Sequence, residues 1–110
     1  MRKKVINALV EMGIPADIIG FRYITEIMCL YEKDEKNISG NLMNVYQIIA
    51  EQNETTPSRV ERALRYVFSI AQEKGDLKSV EKYLTMQYKN NGALLATLYY
   101  RLKMEEDKNE

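Results

Sequence analysis

Histidine is absent from this 110-residue chain, and cysteine occurs once, as Cys29. Without histidine the sequence lacks the commonest general base and the commonest metal ligand, so Cys-His and Ser-His catalysis and ordinary zinc sites are excluded. A lone cysteine forms no internal disulfide. Cys29, between Met28 and Leu30 in a helical stretch, reads as a small hydrophobe at the edge of a core. Long apolar runs are missing too, since nothing approaches the ~18–20 residues that a membrane span needs. The basic start Met1-Arg2-Lys3-Lys4 leads into an amphipathic stretch broken by Glu11 and Gly13 rather than into a signal core. A cytoplasmic location without membrane contact is expected. No glycine-rich phosphate loop or metal cluster stands out, and carboxylates such as Glu26 and Glu51 are spaced as solvated helix faces. The chain is therefore expected to be no enzyme and to need no cofactor and no metal.

Charge of one sign is also lacking overall: sixteen basic side chains balance sixteen acidic ones. That average weighs against nucleic-acid binding, but the distribution is uneven. From Pro57 to Tyr66 there are three arginines and one glutamate, whereas Glu105, Glu106, Asp107 and Glu110 against Lys108 make the tail acidic. A local basic helix sits inside a neutral chain.

What is present is helical periodicity throughout. Val5, Ile6, Leu9 and Val10, extended by Met12, mark a first helix that stops at Gly13-Ile14-Pro15. Asp17 is suited to cap a short turn, and Phe21, Ile24, Ile27, Met28 and Tyr31 then carry a second helix to about Lys33. Asp34-Glu35-Lys36-Asn37 reads as a polar connection and Ser39-Gly40 as punctuation, before Leu42, Val45, Ile48 and Ile49 resume the period. After a turn at Asn53–Thr56, Thr56 is placed as N-cap and Pro57 as first helical residue. Val60, Ala63, Leu64, Val67, Phe68 and Ala71 then line a fourth helix that ends near Lys74-Gly75. A shorter fifth helix carries Leu77, Val80, Tyr83 and Leu84 behind Asp76, and Lys89-Asn90-Asn91-Gly92 breaks it. A sixth, from about Ala93, carries Leu94, Leu95, Leu98, Tyr99 and Leu102. Nothing alternates at period two for long enough to form a strand. The expectation is one all-α domain over 1–110, six helices in all, with a helix-turn-helix at about 42–74.

That helix pair carries the only chemistry in the pattern. A bracing helix, a short turn and a second helix with an arginine-rich exposed start is the layout of DNA readers that work in the major groove. With the apolar set on one face, Ser58, Arg59, Glu61, Arg62, Arg65 and Tyr66 occupy the rest. Arginine can bond a guanine edge in two places and glutamate can accept from cytosine N4, so Arg59 and Glu61, early in the helix, are the candidate base readers. Thr55, Thr56 and Ser58, with the free N–H groups of the helix start, suit phosphate oxygens, and Arg62 and Arg65 suit either role. The same charges also fit a solvated helix face with an i,i+4 pair between Glu61 and Arg65.

The run Thr55-Thr56-Pro57-Ser58-Arg59-Val60-Glu61-Arg62-Ala63-Leu64-Arg65 resembles the recognition-helix signature of the effector domain of the stage-zero sporulation response regulators of endospore-forming Firmicutes. The resemblance extends back through Met12-Gly13-Ile14-Pro15-Ala16 and Ile19-Gly20-Phe21, and forward through Lys74-Gly75-Asp76-Leu77. It implies a six-helix domain that binds a short box in double-stranded DNA, pairs head-to-tail on tandem boxes and contacts RNA polymerase. It puts base reading on Arg59 and Glu61, with Arg62 and Arg65 in support. Tyr66 stands where the family is expected to have histidine, and Pro57 where it has a small residue. A receiver region with a phosphoacceptor aspartate is not expected ahead of Met1, and phosphorylation control is not expected either. Self-association would then fall to the last helix, where Tyr99, Tyr100, Leu102 and Met104 exceed what one core-facing stripe requires. The neutral charge and acidic tail leave a second expectation open, a protein-interaction module that has lost DNA affinity and pairs with a full-length regulator.

Overall fold

The computed structural model describes residues 1–108, with side chains through Glu105. The side chains of Glu106, Asp107, Lys108 and Glu110, which give the tail its charge, lie outside the described residues. The chain is all-helical: α1 (Arg2–Glu11), α2 (Ile19–Lys33), α3 (Lys36–Ser39), α4 (Leu42–Gln52), α5 (Pro57–Lys74), α6 (Leu77–Tyr83) and α7 (Asn91–Lys108). Among the described residues there is no strand, and no helix is long and apolar enough to cross a membrane.

Among the described residues seven helices replace the six expected, because α3 is a single turn within the supposed polar connection. Asp34 starts it, with Oδ1 accepting from the Lys36 N–H at 3.0 Å and its carbonyl accepting from the Asn37 N–H at 3.2 Å. Only Ile38 of this turn packs against the core, so one apolar residue leaves no period to read. Residues 89–92 also differ from expectation. Asn90 Oδ1 accepts from the Ala93 N–H at 2.8 Å, so this run caps α7, and the helix begins two residues earlier, at Asn91. Asp17 caps nothing, since α2 starts after Ile18 with no side-chain cap.

Two helices end by the same device. After α1, the Ile14 N–H reaches the Leu9 carbonyl at 3.0 Å and the Gly13 N–H reaches that of Val10 at 2.9 Å, with Gly13 left-handed at φ 85°. After α4, the Thr55 N–H reaches the Ala50 carbonyl at 2.9 Å and the Glu54 N–H that of Glu51 at 3.5 Å, with Glu54 left-handed at φ 53°. Both are Schellman endings, which satisfy carbonyls that a helix end leaves orphaned. A glycine takes the left-handed position without steric cost; Glu54 takes it at a cost of about 1 kcal/mol or more.

One connected core joins the helices. From α5 it takes Val60, Leu64, Val67, Phe68 and Ala71, from α2 Phe21, Ile24, Ile27, Met28 and Tyr31, and from α7 Leu94, Leu95, Leu98, Tyr99 and Leu102. Helix α5 packs on α2, α4, α6 and α7, and α2 packs on α1, α3, α4, α5 and α7. Gly20 sets how closely α2 and α5 approach: a Cβ there would lie 2.1 Å from Val67 Cγ2 and 2.7 Å from the Ala63 carbonyl oxygen. Three residues expected on apolar stripes are outside the core: half-buried Ile48 on α4, and Val10 near the end of α1 and Leu77 at the first position of α6, both more than half exposed.

Candidate nucleic-acid interface

The first half of α5 owes its start to local chemistry. Thr56 is extended, its Oγ1 accepts from the Arg59 N–H at 3.3 Å, and Pro57 fills the first turn, where its missing N–H costs nothing. Because the core takes the 60, 64, 67, 68, 71 stripe, Ser58, Arg59, Arg62, Arg65 and Tyr66 are left exposed on the other faces. Thr56 is exposed beside them, and Thr55 and Glu61 are half-buried. The candidate readers therefore share one solvent-facing surface. Arg59 and Arg62 make no ion pair among the described residues, whereas Arg65 Nη2 lies 3.5 Å from Glu61 Oε2, the i,i+4 pair that the spacing allows. Such an exposed pair contributes at most ~1 kcal/mol and is readily exchanged for a ligand.

The turn before α5 is held from behind. Asn53 Nδ2 donates to Glu26 Oε1 at 2.9 Å and Oε2 at 3.0 Å, and to the Ile49 carbonyl at 2.9 Å. Glu26 is thus not the solvated helix carboxylate that its spacing suggests: its side chain is 17% exposed and turned inward to the turn. Sequence periodicity misses it because a half-buried acid has the same spacing as an exposed one. Asn91 is a second unforeseen anchor. It is buried, and its Nδ2 donates to the Tyr46 hydroxyl at 3.0 Å and to the Glu61 carbonyl at 3.1 Å, tying the start of α7 to α4 and α5. Burial raises the Tyr46 phenol above its ordinary pKa, so it stays a neutral partner at physiological pH.

A family model described as Sporulation initiation factor Spo0A C terminal matches residues 5–102. The chain belongs to this family. Members are helical DNA-binding regulatory domains of a sporulation factor and form no catalytic family, and the all-helical fold here agrees with that. The match spans α1 to most of α7, so it takes in the arginine face of α5 and both of its anchors.

The four residues expected to form a self-association surface on this family's last helix do not lie together on a surface. Tyr99 and Leu102 are in the core at 0% and 1% exposure, with the Tyr99 hydroxyl donating to Glu35 Oε2 at 2.7 Å. On α7 the residues three and four apart share a face, so 95, 98, 99 and 102 form the buried stripe and 100 and 104 fall outside it. Tyr100 and Met104 alone are exposed.

Proposed function

We propose that this chain is a sequence-specific transcription regulator that lays α5 in the major groove of a short DNA box, with residues about 42–74 as its helix-turn-helix and 1–110 acting as one effector-type domain. The observation that carries the reading is the division of α5 into a core stripe and an exposed face holding Arg59, Arg62 and Arg65 behind a capped N-terminus. Arg59 and Glu61 read base edges, and Thr55, Thr56, Ser58 and the first N–H groups of α5 hold phosphate. Glu61 exchanges its Arg65 partner for a cytosine amine, which frees Arg65 for the backbone. Tyr66, exposed one turn further along, packs on the groove wall. Such a regulator works where the DNA is, in the cytoplasm, pairs with a second copy on tandem boxes and contacts RNA polymerase as the family's resemblance implies.

The experiment is a fluorescence titration against box-type and random duplexes at several salt concentrations. A DNA reader gives saturable binding whose affinity falls with a log–log slope near −0.9 per phosphate neutralised and prefers the box. An interaction module that has lost DNA affinity gives no saturable binding to either duplex, and that result removes the reading.

A further inference from the structure

The surface beside α5 continues onto a loop that the helix itself holds in place. Gln72, two turns beyond Arg65, donates through Nε2 to the Thr85 carbonyl at 2.7 Å and the Tyr88 carbonyl at 2.9 Å, so one side chain fixes both ends of 85–88 against α5. Thr85 Oγ1 accepts from the Gln87 N–H at 3.2 Å, and Asn90 is committed to capping α7. Lys89 thus sits between two fixed points, with its side chain exposed and in no ion pair among the described residues. It lines two adjoining clefts, one with Leu42, Tyr46 and Glu61, the other with Phe68, Ser69 and Glu73, and Arg65 lines both. From Lys82 to Met104 the sequence holds Lys82, Lys89, Arg101 and Lys103 and no acidic residue.

We infer that the α6–α7 loop is a second contact element for duplex DNA, with Lys89 binding a backbone phosphate beside the one nearest Arg65, and with Gln72 as its positioning residue. This inference rests on the proposed placement of α5 in the groove. A helix seated there has a phosphate backbone on each side, so a cation held along the flank of α5 meets phosphate and not base edges. The pinned backbone matters because ordering a free loop on binding costs about 1–2 kcal/mol per residue, and here the fold has met that cost beforehand. Glu73, in the same cleft and exposed, opposes the contact, whereas Glu61, in the adjoining cleft, turns to its cytosine partner in the bound state.

The test uses the full chain and its Lys89→Gln, Gln72→Met and doubly substituted forms, titrated against box-type and random duplexes across a salt series, with Arg59→Ala in parallel. Lys89→Gln should weaken both duplexes alike, roughly three- to tenfold, and flatten the log–log salt slope by about 0.9. Gln72→Met should reproduce part of that loss and flattening in the parent and add nothing in the Lys89→Gln background, a coupling that general loosening of the fold would not give. If Arg59→Ala relaxes box preference while Lys89→Gln leaves affinity and slope unchanged, the groove reading stands and the loop contact is wrong. If the parent chain shows no saturable, salt-dependent binding, the groove reading falls and takes the loop contact with it.

Discussion

Glu26 on α2 accepts the side-chain amide of Asn53, in the turn between α4 and α5, at 2.9 and 3.0 Å. The position of the arginine face is thereby set by a helix that carries no part of it. A hydrogen bond to a half-buried carboxylate contributes about 1.5–3 kcal/mol, and the exposed Arg22 at 3.9 Å from the same carboxylate adds little.

Glu26→Ala should therefore lower stability by about 1–3 kcal/mol in urea unfolding, whereas Arg22→Ala should change it by less than about 1 kcal/mol. Equal effects of the two substitutions would show that the ion pair, and not the Asn53 contact, gives Glu26 its role.

Arg59 and Arg65 lie on one face of α5 but differ in their partners, since only Arg65 is engaged by Glu61. Arg59→Ala is expected to cost roughly 1–3 kcal/mol on the preferred box and to erase discrimination at one guanine, while Arg65→Ala weakens all duplexes about equally. Measured on a panel of single-base box variants, an unchanged preference order after Arg59→Ala would rule it out as a base reader.

Much of the fold is legible in the amino-acid order. The caps at Thr56 and Asp76, the end of α5 before Gly75 and the five buried α7 residues all follow from side-chain chemistry or helical period. The rest depends on contacts distant in sequence. Glu26 meets Asn53 across 27 residues, Asn91 meets Tyr46 across 45, and Tyr99 meets Glu35 across 64. Composition gives no sign of these pairs. Period alone allows Tyr99 and Leu102 on the core stripe and on a pairing surface alike, and both go to the core because α7 packs on α2, α5 and α6 together.

The α2–α5 crossing depends on Gly20, where a methyl group would meet both the Val67 side chain and the Ala63 backbone. A side chain can rotate away, but the backbone oxygen at 2.7 Å from the added carbon cannot move without shifting α5. Gly20→Ala should destabilise by about 1–3 kcal/mol despite the better helix propensity of alanine. A thermal midpoint equal to or above the parent's would mean that the two helices separate at no cost.

Buried phenols make the fold sensitive to alkali. Burial, and next the neighbouring Tyr46, push Tyr31 up to about 12, and burial followed by the hydroxyl's bond to Glu35 raises Tyr99 also. A phenol whose folded pKa exceeds its unfolded value of about 10 keeps its proton more firmly in the native state. Its contribution is then complete below about pH 10 and is lost as pH climbs toward 12. The melting temperature should hold below pH 10 and fall above it, and Tyr31→Phe should make that fall shallower. An identical alkaline slope in the variant would mean that Tyr31 does not resist ionisation.

Pairing on DNA is the last expectation, and the burial of Tyr99 and Leu102 removes half of the residues expected to carry it. Specific protein–DNA interfaces usually need about 1,000–2,500 Å² of protein surface, more than one helix reaching a few base edges supplies, so a single domain on a single box should bind weakly. Of the four α7 residues expected to face a second copy, Tyr100 is 49% exposed and Met104 59% exposed, the latter lining a cleft with Lys82, Tyr83, Arg101 and Glu105. Two boxes spaced about one helical turn apart place two copies on the same side of the duplex, where such surfaces can meet. Binding to tandem boxes should then be tighter than two independent sites allow, and Tyr100→Ser with Met104→Ser should remove the excess while leaving single-box affinity intact. Moving one box by about five base pairs turns the second copy to the opposite side of the duplex. Titration of that shifted duplex should show independent binding, and an unchanged affinity would mean that the copies never touched and that α7 offers no pairing surface.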